Sequence, residues 1–346
     1  MNSVDLLGII KNEMKRSRKP AARRLPTFYP SEASAETPAG EILGGCWRKT
    51  WYRTNYVPTS NDSDFYMKMI FSLGNHVEDV VAEQMKRAGI FESNSVKFFD
   101  PEYNLSGEID IAGRYRKPDG SIGYYGVEVK SVYGMGATQT ITGRSRAWRG
   151  QAAFRPKPKE SNLMQTMIYI DQFSAERDAS VYLEGFKLIY LPRDKPVDGR
   201  CYNVLLVTKD ELSGDLLDSA PNLKDGERYA LVQTEGYPDY VEDRFSLDQI
   251  YARYKSLKET LESGAVPDRT FEKYYSKQTV EDMYSSGRMS ESAYNSFTSG
   301  KKTPGHFLCQ SYCDYRDHCY NKTGSPRVEA DSLVSISERK VMNSNS

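Results

Sequence analysis

The stretch that decides the fold reads Gly107-Glu108-Ile109-Asp110, continues through the turn sequence Pro118-Asp119-Gly120 and ends with Val127-Glu128-Val129-Lys130. Apolar and polar residues alternate on both sides of the turn, a pattern that predicts two strands joined in a β-hairpin. A turn centred on Asp119 pairs residues whose numbers sum to about 238, so Asp110 is expected to face Glu128. Because strand side chains alternate with period two, Glu128 and Lys130 share one face. The sequence therefore predicts two carboxylates and an ammonium group clustered on one sheet face.

Two interpretations of this cluster stay open from the residues alone. Neighbouring carboxylates repel each other, and a cation between them relieves that repulsion. Hard oxygen ligands favour Mg²⁺ or Mn²⁺, so the pair is a candidate metal site. The alternative is a solvated face held by salt bridges, since exposed charge pairs of this kind are common.

An aspartate followed one strand later by Glu-x-Lys resembles the signature of the PD-(D/E)XK nucleases, with Ile109 where that signature has proline. The resemblance implies an α/β restriction-endonuclease-like core, in which a mixed central sheet is flanked by helices. It implies that Asp110, Glu128 and the Val129 carbonyl bind a divalent metal ion. It also implies that Lys130 orients the attacking water or stabilises the charge that develops on the phosphate.

Two predicted helices carry further motifs of the RecB-like branch of this superfamily. Helical spacing of apolar residues predicts a helix over residues 64–89, and His76 within it stands in a Gly-x-His context that resembles a metal-ligand motif. A histidine that caps the core is the alternative. In a second helix, Gln165 and Tyr169 lie one turn apart on the same face. They resemble the branch's Gln-x-x-x-Tyr motif, which implies contact with the catalytic site or the DNA strand.

The first of these helices is expected to bury one apolar face, with His76 at its edge. Glu78 and Asp79 are expected to be solvated. The residues of the expected buried face are Met69, Leu73, Val77, Val80, Val81 and Met85.

Four of the five cysteines lie near the two ends of the predicted fold, at Cys46 and at Cys309, Cys313 and Cys319. Three cysteines within so short a stretch are typical of metal ligands. The pattern resembles iron–sulfur RecB-like nucleases, whose late trio is spaced Cys-x₂-Cys-x₅-Cys, although the first gap here is three residues. The resemblance implies a [4Fe–4S] cluster that joins the N- and C-terminal segments. Zinc is the alternative, with His306 or His318 completing a tetrahedral site.

A basic stretch without any acidic residue separates Glu128 from Glu160. Arginines neutralise phosphates, and aromatic residues among them offer surfaces for base stacking. The stretch is therefore predicted to be a loop that clamps DNA, with a plain solvated loop as the alternative. Its candidate DNA-binding residues are Arg144, Arg146, Trp148, Arg149 and Arg155.

Composition limits the remaining possibilities. Lysine plus arginine and aspartate plus glutamate both number 47, so nucleic acid must be attracted by local patches. No stretch approaches a membrane span or a signal peptide, and a cytoplasmic location with reduced cysteines is expected. The chain is predicted to contain a basic mobile arm over 1–40, a nuclease domain with its cysteine cluster over 41–321 and a disordered tail over 322–346.

These motifs occur in the order typical of CRISPR-associated and AddB-type RecB-like nucleases. The resemblance implies a metal-dependent DNA nuclease, an exonuclease that acts on single strands or DNA ends. No phosphate-binding Gly-x₄-Gly-Lys-[Ser/Thr] loop is present, so a helicase or recombination protein would be a separate partner. Two alternatives stay open: a non-catalytic DNA-end binding protein with the same fold, and a zinc-stabilised nucleic-acid-binding module.

Overall fold

A computed structural model describes residues 27–61, 65–134, 141, 156–175, 183–194 and 199–320. These residues form two compact units, each with its own core. The first contains Thr27–Gly45 and Phe65–Lys258, and the second contains the described residues of 46–61 and 259–320. The predicted DNA-binding residues from Arg144 to Arg155 and the predicted tail over 322–346 lie outside the described residues.

The first unit is an α/β structure built on a mixed sheet of seven strands. A separate antiparallel pair, β1 (Ser34–Glu36) and β2 (Ile42–Gly44), precedes this sheet. In the large sheet, β5 and β6 pair in parallel and every other neighbouring pair is antiparallel. Its strands, in both chain order and spatial order, are β3 (Phe91–Asp100), β4 (Leu105–Arg116), β5 (Ile122–Val132), β6 (Leu183–Pro192), β7 (Arg200–Val207), β8 (Tyr229–Gln233) and β9 (Tyr240–Glu242).

Helices flank the sheet, which confirms the predicted α/β class and mixed central sheet. Those of the first unit are α2 (Phe65–Arg87) and α3 (Glu160–Ala175), which pack on the sheet, with α4 (Asp215–Asp218) and most of α5 (Leu247–Glu262). The second unit contains α1 (Trp47–Thr54), α6 (Lys277–Ser285), α7 (Glu291–Thr298) and α8 (Arg316–Tyr320), with a π-helix over Leu308–Tyr312. None of those within the described ranges is both long and apolar enough to cross a membrane.

The hairpin of β4 and β5 has the predicted register, with Ile111 opposite Val127. At its turn, the Asp119 carboxylate accepts hydrogen bonds from the N–H of Ser121 at 2.9 Å and from its hydroxyl at 2.7 Å. Gly120 has a φ of 84°, a left-handed conformation that glycine adopts without strain. The turn chemistry therefore determines which residues of β5 face each side of the sheet.

Helix α2 lies where it was predicted, but the expected buried face is only partly correct. Val77, Val81 and Met85 pack on the sheet together with Ala82. Leu73 and Val80 are each 46 % exposed, and Met69 is also exposed. Met69 and Leu73 belong to the same four-residue row as Val77, Val81 and Met85, so their exposure is not a matter of which face they occupy. The helix packs on the sheet only along its later half, from Val77 onward.

Residues 27–40, the described part of the arm predicted over 1–40, are folded. The ring of Phe28 is fully buried and stacks on Tyr254 with centroids 5.6 Å apart. Its backbone N–H donates to the Asn104 carbonyl at 2.8 Å, and the residue bridges to Leu105. One large buried aromatic residue thus anchors a stretch whose composition is otherwise typical of a loop. The rest of the predicted arm lies outside the described residues.

Gly126 in β5 tests this packing. An added Cβ would lie 2.2 Å from the fully buried ring of Phe186 on the neighbouring strand. Gly126→Ala is therefore expected to lower the free energy of unfolding by about 1–3 kcal/mol, measured from urea unfolding curves.

The control for this substitution is Gly74→Ala in α2. Nothing lies within 4 Å of the Cβ added there, and alanine favours a helix over glycine by up to about 1 kcal/mol. Equal destabilisation in both variants would contradict the packing explanation.

Candidate functional site

Asp110 and Glu128 lie together with Lys130 at the point where the pairing of β4 with β5 ends. The last backbone pair is Ile111 with Val127. One residue further, the Asp110 carboxylate accepts a 2.8 Å hydrogen bond from the N–H of Val129. The Asp110 side chain is thus bonded to the backbone of β5. The described backbone pairing ends one residue before the expected pair of Asp110 with Glu128. The two predicted carboxylates are still brought into one cluster.

Glu128 is the most buried charged group of this cluster, with 1 % of its surface exposed. Its Oε1 accepts a hydrogen bond from the ammonium group of Lys130. Its Oε2 is buried and has no hydrogen-bond partner among the described residues. Leaving a buried acceptor unpaired costs about 1–3 kcal/mol, and more for a charged group. The fold therefore holds the Glu128 side chain in a position that lowers the free energy of unfolding.

The charges of the cluster are strongly coupled. Burial raises the pKa of Glu128 and of Asp110, and the positive charge of Lys130 opposes the increase in both. Burial acts to lower the pKa of Lys130, but the charges of Glu128 and Asp110 outweigh it and raise that pKa. Lys130 is therefore the cation that holds two mutually repelling carboxylates in place.

Helix α2 adds a carboxylate that the sequence interpretation missed. Glu78 was expected to be solvated but is half-buried, and burial followed by the charge of Asp110 raises its pKa to about 7. Residues two positions apart on a helix point about 160° away from each other, so α2 cannot direct both Glu78 and His76 toward Asp110. His76 is exposed. Taking Val77 and Val81 as the buried stripe would have identified Glu78 beside it.

Gln165 and Tyr169 occupy one face of α3, as their spacing predicted. The Gln165 side-chain amide donates a 2.9 Å hydrogen bond to the Tyr169 hydroxyl, and both residues are buried. The Tyr169 ring stacks on Phe186 with centroids 5.8 Å apart. Burial, followed by the charge of Glu128, raises the pKa of Tyr169 well above its usual range. The phenol therefore stays protonated close to the acidic cluster.

These side chains form an acidic cluster without a complete ligand set. Within the described ranges, no three histidine, cysteine, aspartate or glutamate side chains are arranged to hold one metal ion. Asp110 and Glu128 supply two carboxylates of the predicted set, whereas His76 lies exposed on α2. The Oε2 of Glu128 accepts no hydrogen bond from the described residues and can serve as an oxygen donor to a metal ion, while a protonated Glu128 can donate a hydrogen bond to the Asp110 carboxylate.

The second unit brings all four predicted cluster cysteines to one cavity. Its lining contains Cys46, Cys309, Cys313 and Cys319, together with the basic residues Arg48, Lys49, Arg269 and Arg316. Burial, followed by the proximity of Cys46, raises the pKa of Cys309 to about 12, and burial raises the pKa of Cys313. A metal ion bound at this cavity would have to displace the protons of the Cys309 and Cys313 thiols, and the nearby cations would favour the resulting thiolates.

Neither histidine considered for a zinc site lines this cavity in the described structure. His306 stacks on Phe271 with centroids 3.8 Å apart, and its Nδ1 is buried without a partner. His318 Nε2 lies 2.7 Å from the carbonyl of Pro58. The donors that line the cavity are therefore four thiols, the ligand type of an iron–sulfur cluster or a four-thiolate zinc site, although within the described ranges no three of them are placed to hold one metal ion together.

Comparisons with known proteins add no relative to this picture. No protein-family model matches the sequence, and no curated protein sequence matches it. The functional interpretation therefore depends on the residues and their geometry.

The acidic cluster makes a prediction for stability. Folding raises the pKa of Asp110, so the ionised carboxylate lowers the free energy of unfolding. This loss of stability is absent below the unfolded pKa and grows as the pH rises through the folded pKa. Asp110→Asn keeps an acceptor for the Val129 N–H and removes the charge. We expect it to raise the melting temperature of the metal-free protein at pH 8, by about 2–4 °C per kcal/mol gained, and to have little effect near pH 4.

Asp119→Asn is the control with the opposite sign, because the two hydrogen bonds from Ser121 lower the pKa of Asp119. That substitution should leave the melting temperature at pH 8 unchanged or slightly reduced. A melting temperature of Asp110→Asn at or below wild type at pH 8 would refute the proposed repulsion.

Proposed function

We propose that this chain is a metal-dependent DNA nuclease of the RecB-like branch of the PD-(D/E)XK superfamily, with β4, β5, β6, α2 and α3 as a restriction-endonuclease-like core. One observation carries the proposal. Glu128 is buried with an unpaired carboxylate oxygen, beside a second carboxylate and a lysine. Such an arrangement lowers the stability of the fold. It is explained if the two carboxylates bind a divalent cation and the lysine acts on a phosphodiester substrate.

The residues present fit an Mg²⁺ or Mn²⁺ ion in their chemistry. Asp110, Glu128 and the Val129 carbonyl provide the hard oxygen donors that these ions prefer, and Glu78 provides a further carboxylate on α2. When bound, the ion supplies charge neutralisation for the phosphate and lowers the pKa of a water molecule. The raised pKa values of Asp110, Glu128 and Glu78 would then fall, since the cation adds positive charge beside these carboxylates.

The remaining residues act through position and charge. Lys130 keeps its ammonium group beside Glu128, where it orients the attacking water or stabilises the additional negative charge of the transition state. The bond from the Val129 N–H fixes the Asp110 carboxylate. Gln165 and Tyr169 are buried and bonded to each other, so they act on the acidic cluster from inside the fold, with a protonated phenol near Glu128, rather than through contact with a DNA strand.

The four cysteines are proposed to hold a [4Fe–4S] cluster, with zinc as the alternative metal. Their cavity gathers thiols and cations without a carboxylate in its described lining. Metal ligands of this kind must remain reduced, which accords with a cytoplasmic location. A separate helicase or recombination protein is the proposed partner for unwinding.

A non-catalytic DNA-end binding protein is the second candidate. The observation that favours it is the incomplete ligand set, in which Asp110 and Glu128 come together and His76 is exposed. Such a protein would bind DNA ends without cutting them in any divalent metal ion.

Cleavage of end-labelled DNA in Mn²⁺ tests the catalytic proposal. Lys130→Ala is expected to lower the turnover rate by about 100-fold or more, with a smaller change in Mn²⁺ affinity, because its charge acts mainly in the transition state. Asp110→Asn should lose both cleavage and the stabilisation that Mn²⁺ gives the wild type against heat.

The controls are Lys97→Ala on β3 and Glu83→Gln on α2, both exposed positions that should retain the wild-type rate. Wild-type rates in Lys130→Ala and Asp110→Asn would place the active site elsewhere. DNA binding by the wild type without cleavage in Mg²⁺ or Mn²⁺ would favour the non-catalytic candidate.

Anaerobic purification tests the cysteine cluster. Cys46→Ser should lose iron, measured by absorption and metal analysis, and should unfold at a lower urea concentration. In simple chain-entropy models, a covalent cross-link that closes so long a loop stabilises the folded state by on the order of 4 kcal/mol.

Cys201→Ser serves as the control, because Cys201 lies on β7 and does not line the cavity. It should retain the full metal content. Full iron content in Cys46→Ser would contradict the four-thiol site, and zinc without iron would identify the alternative metal.

A further inference from the structure

Three tyrosines lie in a row along the end of the large sheet where the parallel strands β5 and β6 terminate. A cationic side chain lies over the ring of each tyrosine. The Arg193 guanidinium lies 5.6 Å from the ring centroid of Tyr133, and that of Arg200 lies 5.3 Å from the ring centroid of Tyr237. The ammonium group of Lys157 lies 5.4 Å from the ring centroid of Tyr240.

The strand register places all three pairs at the same edge. Val132 and Pro192 are paired at the carboxyl ends of the parallel strands β5 and β6, and Tyr133 and Arg193 directly follow them. Strand β7 begins there with Arg200, and β9 begins there with Tyr240. Neighbouring strands are about 4.8 Å apart, so the row from β5 to β9 spans about 20 Å.

The row begins beside the acidic cluster. Tyr133 is three residues beyond Lys130 on β5, a separation of at most about 10 Å along an extended chain. Ligands of α/β sheets bind outside the carboxyl ends of parallel strands, and β5 and β6 are the parallel pair of this sheet. A substrate strand that reaches the cluster would therefore pass this edge.

The pair of Tyr133 and Arg193 has the features of a binding group. Tyr133 is 61 % exposed, the highest value among the exposed large hydrophobic residues of the described chain. The Arg193 backbone N–H donates to the Val132 carbonyl at 2.8 Å, which fixes the residue at the end of β5 and β6. Its Nε is buried, so a phosphate would contact the guanidinium through the terminal nitrogens.

We propose that these three tyrosine–cation pairs form a track for single-stranded DNA that leads to the acidic cluster, a proposal that rests on the nuclease function for the identity of its ligand. A single strand exposes the faces of its bases, which stack on tyrosine rings, whereas a duplex hides them. The cations over the rings hold them in place and contact the phosphates between stacked bases.

The charge of the edge determines how the track binds. The exposed carboxylates Asp194, Glu235 and Asp239 lie among its three cations. Stacking therefore provides more of the affinity here than charge neutralisation does. Loss of a tyrosine should weaken binding at every salt concentration, whereas loss of an arginine should change the salt dependence.

Fluorescence anisotropy of a labelled oligothymidine of about 20 nucleotides, with the full chain in EDTA, tests the track without cleavage. Tyr133→Ala should lower the affinity by about 5- to 100-fold, and Tyr133→Phe should restore most of it. Arg193→Met should reduce the slope of log affinity against log salt by about 0.7, the value for one phosphate contact on a single strand. Binding of a blunt duplex should change little in Tyr133→Ala.

Tyr274→Ala is the chemically matched control, because Tyr274 is 59 % exposed with the Lys273 ammonium 5.0 Å from its ring centroid. It should bind the oligonucleotide as the wild type does. Wild-type affinity in both Tyr133→Ala and Tyr237→Ala, or an equal loss in Tyr274→Ala, would overturn the track.

Cleavage by the wild type separates this proposal from the nuclease function. A wild type that does not cut, combined with a loss of affinity in Tyr133→Ala, would refute the nuclease and support the track as a binding surface. A wild type that cuts, combined with unchanged affinity in the tyrosine variants, would refute the track alone.

Discussion

The turn at Asp119 sets the register of β4 against β5, and the position of the acidic cluster depends on that register. Because side chains alternate along a strand, a slip of one residue would exchange Glu128 and Lys130 with the buried Val127 and Val129. Two charges would then enter the apolar cluster under α2. Such burial without pairing costs several kcal/mol, so the register of the hairpin is strongly selected.

The acidic cluster opposes folding in the absence of a cation. Asp110 and Glu128 are removed from water at the same point, and one ammonium group cannot satisfy both. The apolar surroundings that give the cluster its low dielectric come from the neighbouring strand β6, through Leu188 beside Glu128, and from Tyr169 on α3. The sheet thus supplies the stability that holds the carboxylates in an unfavourable position, a relation common at functional sites.

Features that depend on neighbouring residues could be predicted from the sequence. The turn, the hairpin register and the spacing of Gln165 and Tyr169 each follow from a few adjacent positions. The length over which α2 packs could not be derived in this way. Leu73 and Val77 lie one turn apart on the same face of the helix, and only the extent of the sheet decides that Val77 packs while Leu73 stays exposed.

Longer-range contacts explain the other differences. Residues 27–40 have the composition of a loop, and they fold because Phe28 reaches Tyr254, a partner far away in the sequence. Glu78 belongs to the candidate site for the same kind of reason, since its neighbour Asp110 lies on a different element. The iron or zinc content of the cysteine cavity depends on chemistry that neither spacing nor side-chain position determines.

The second unit is assembled from two distant parts of the chain, and this has a consequence during synthesis. Trp51 and Tyr52 share their apolar cluster with Tyr315, whose ring stacks on Tyr52 with centroids 5.4 Å apart. The ribosome adds about 5–20 residues per second, so roughly 13–50 s pass between the synthesis of Trp51 and Tyr52 and the synthesis of Tyr315. A chain that stops before Tyr315 keeps two large aromatic side chains uncovered, the kind of surface that chaperones and proteases recognise.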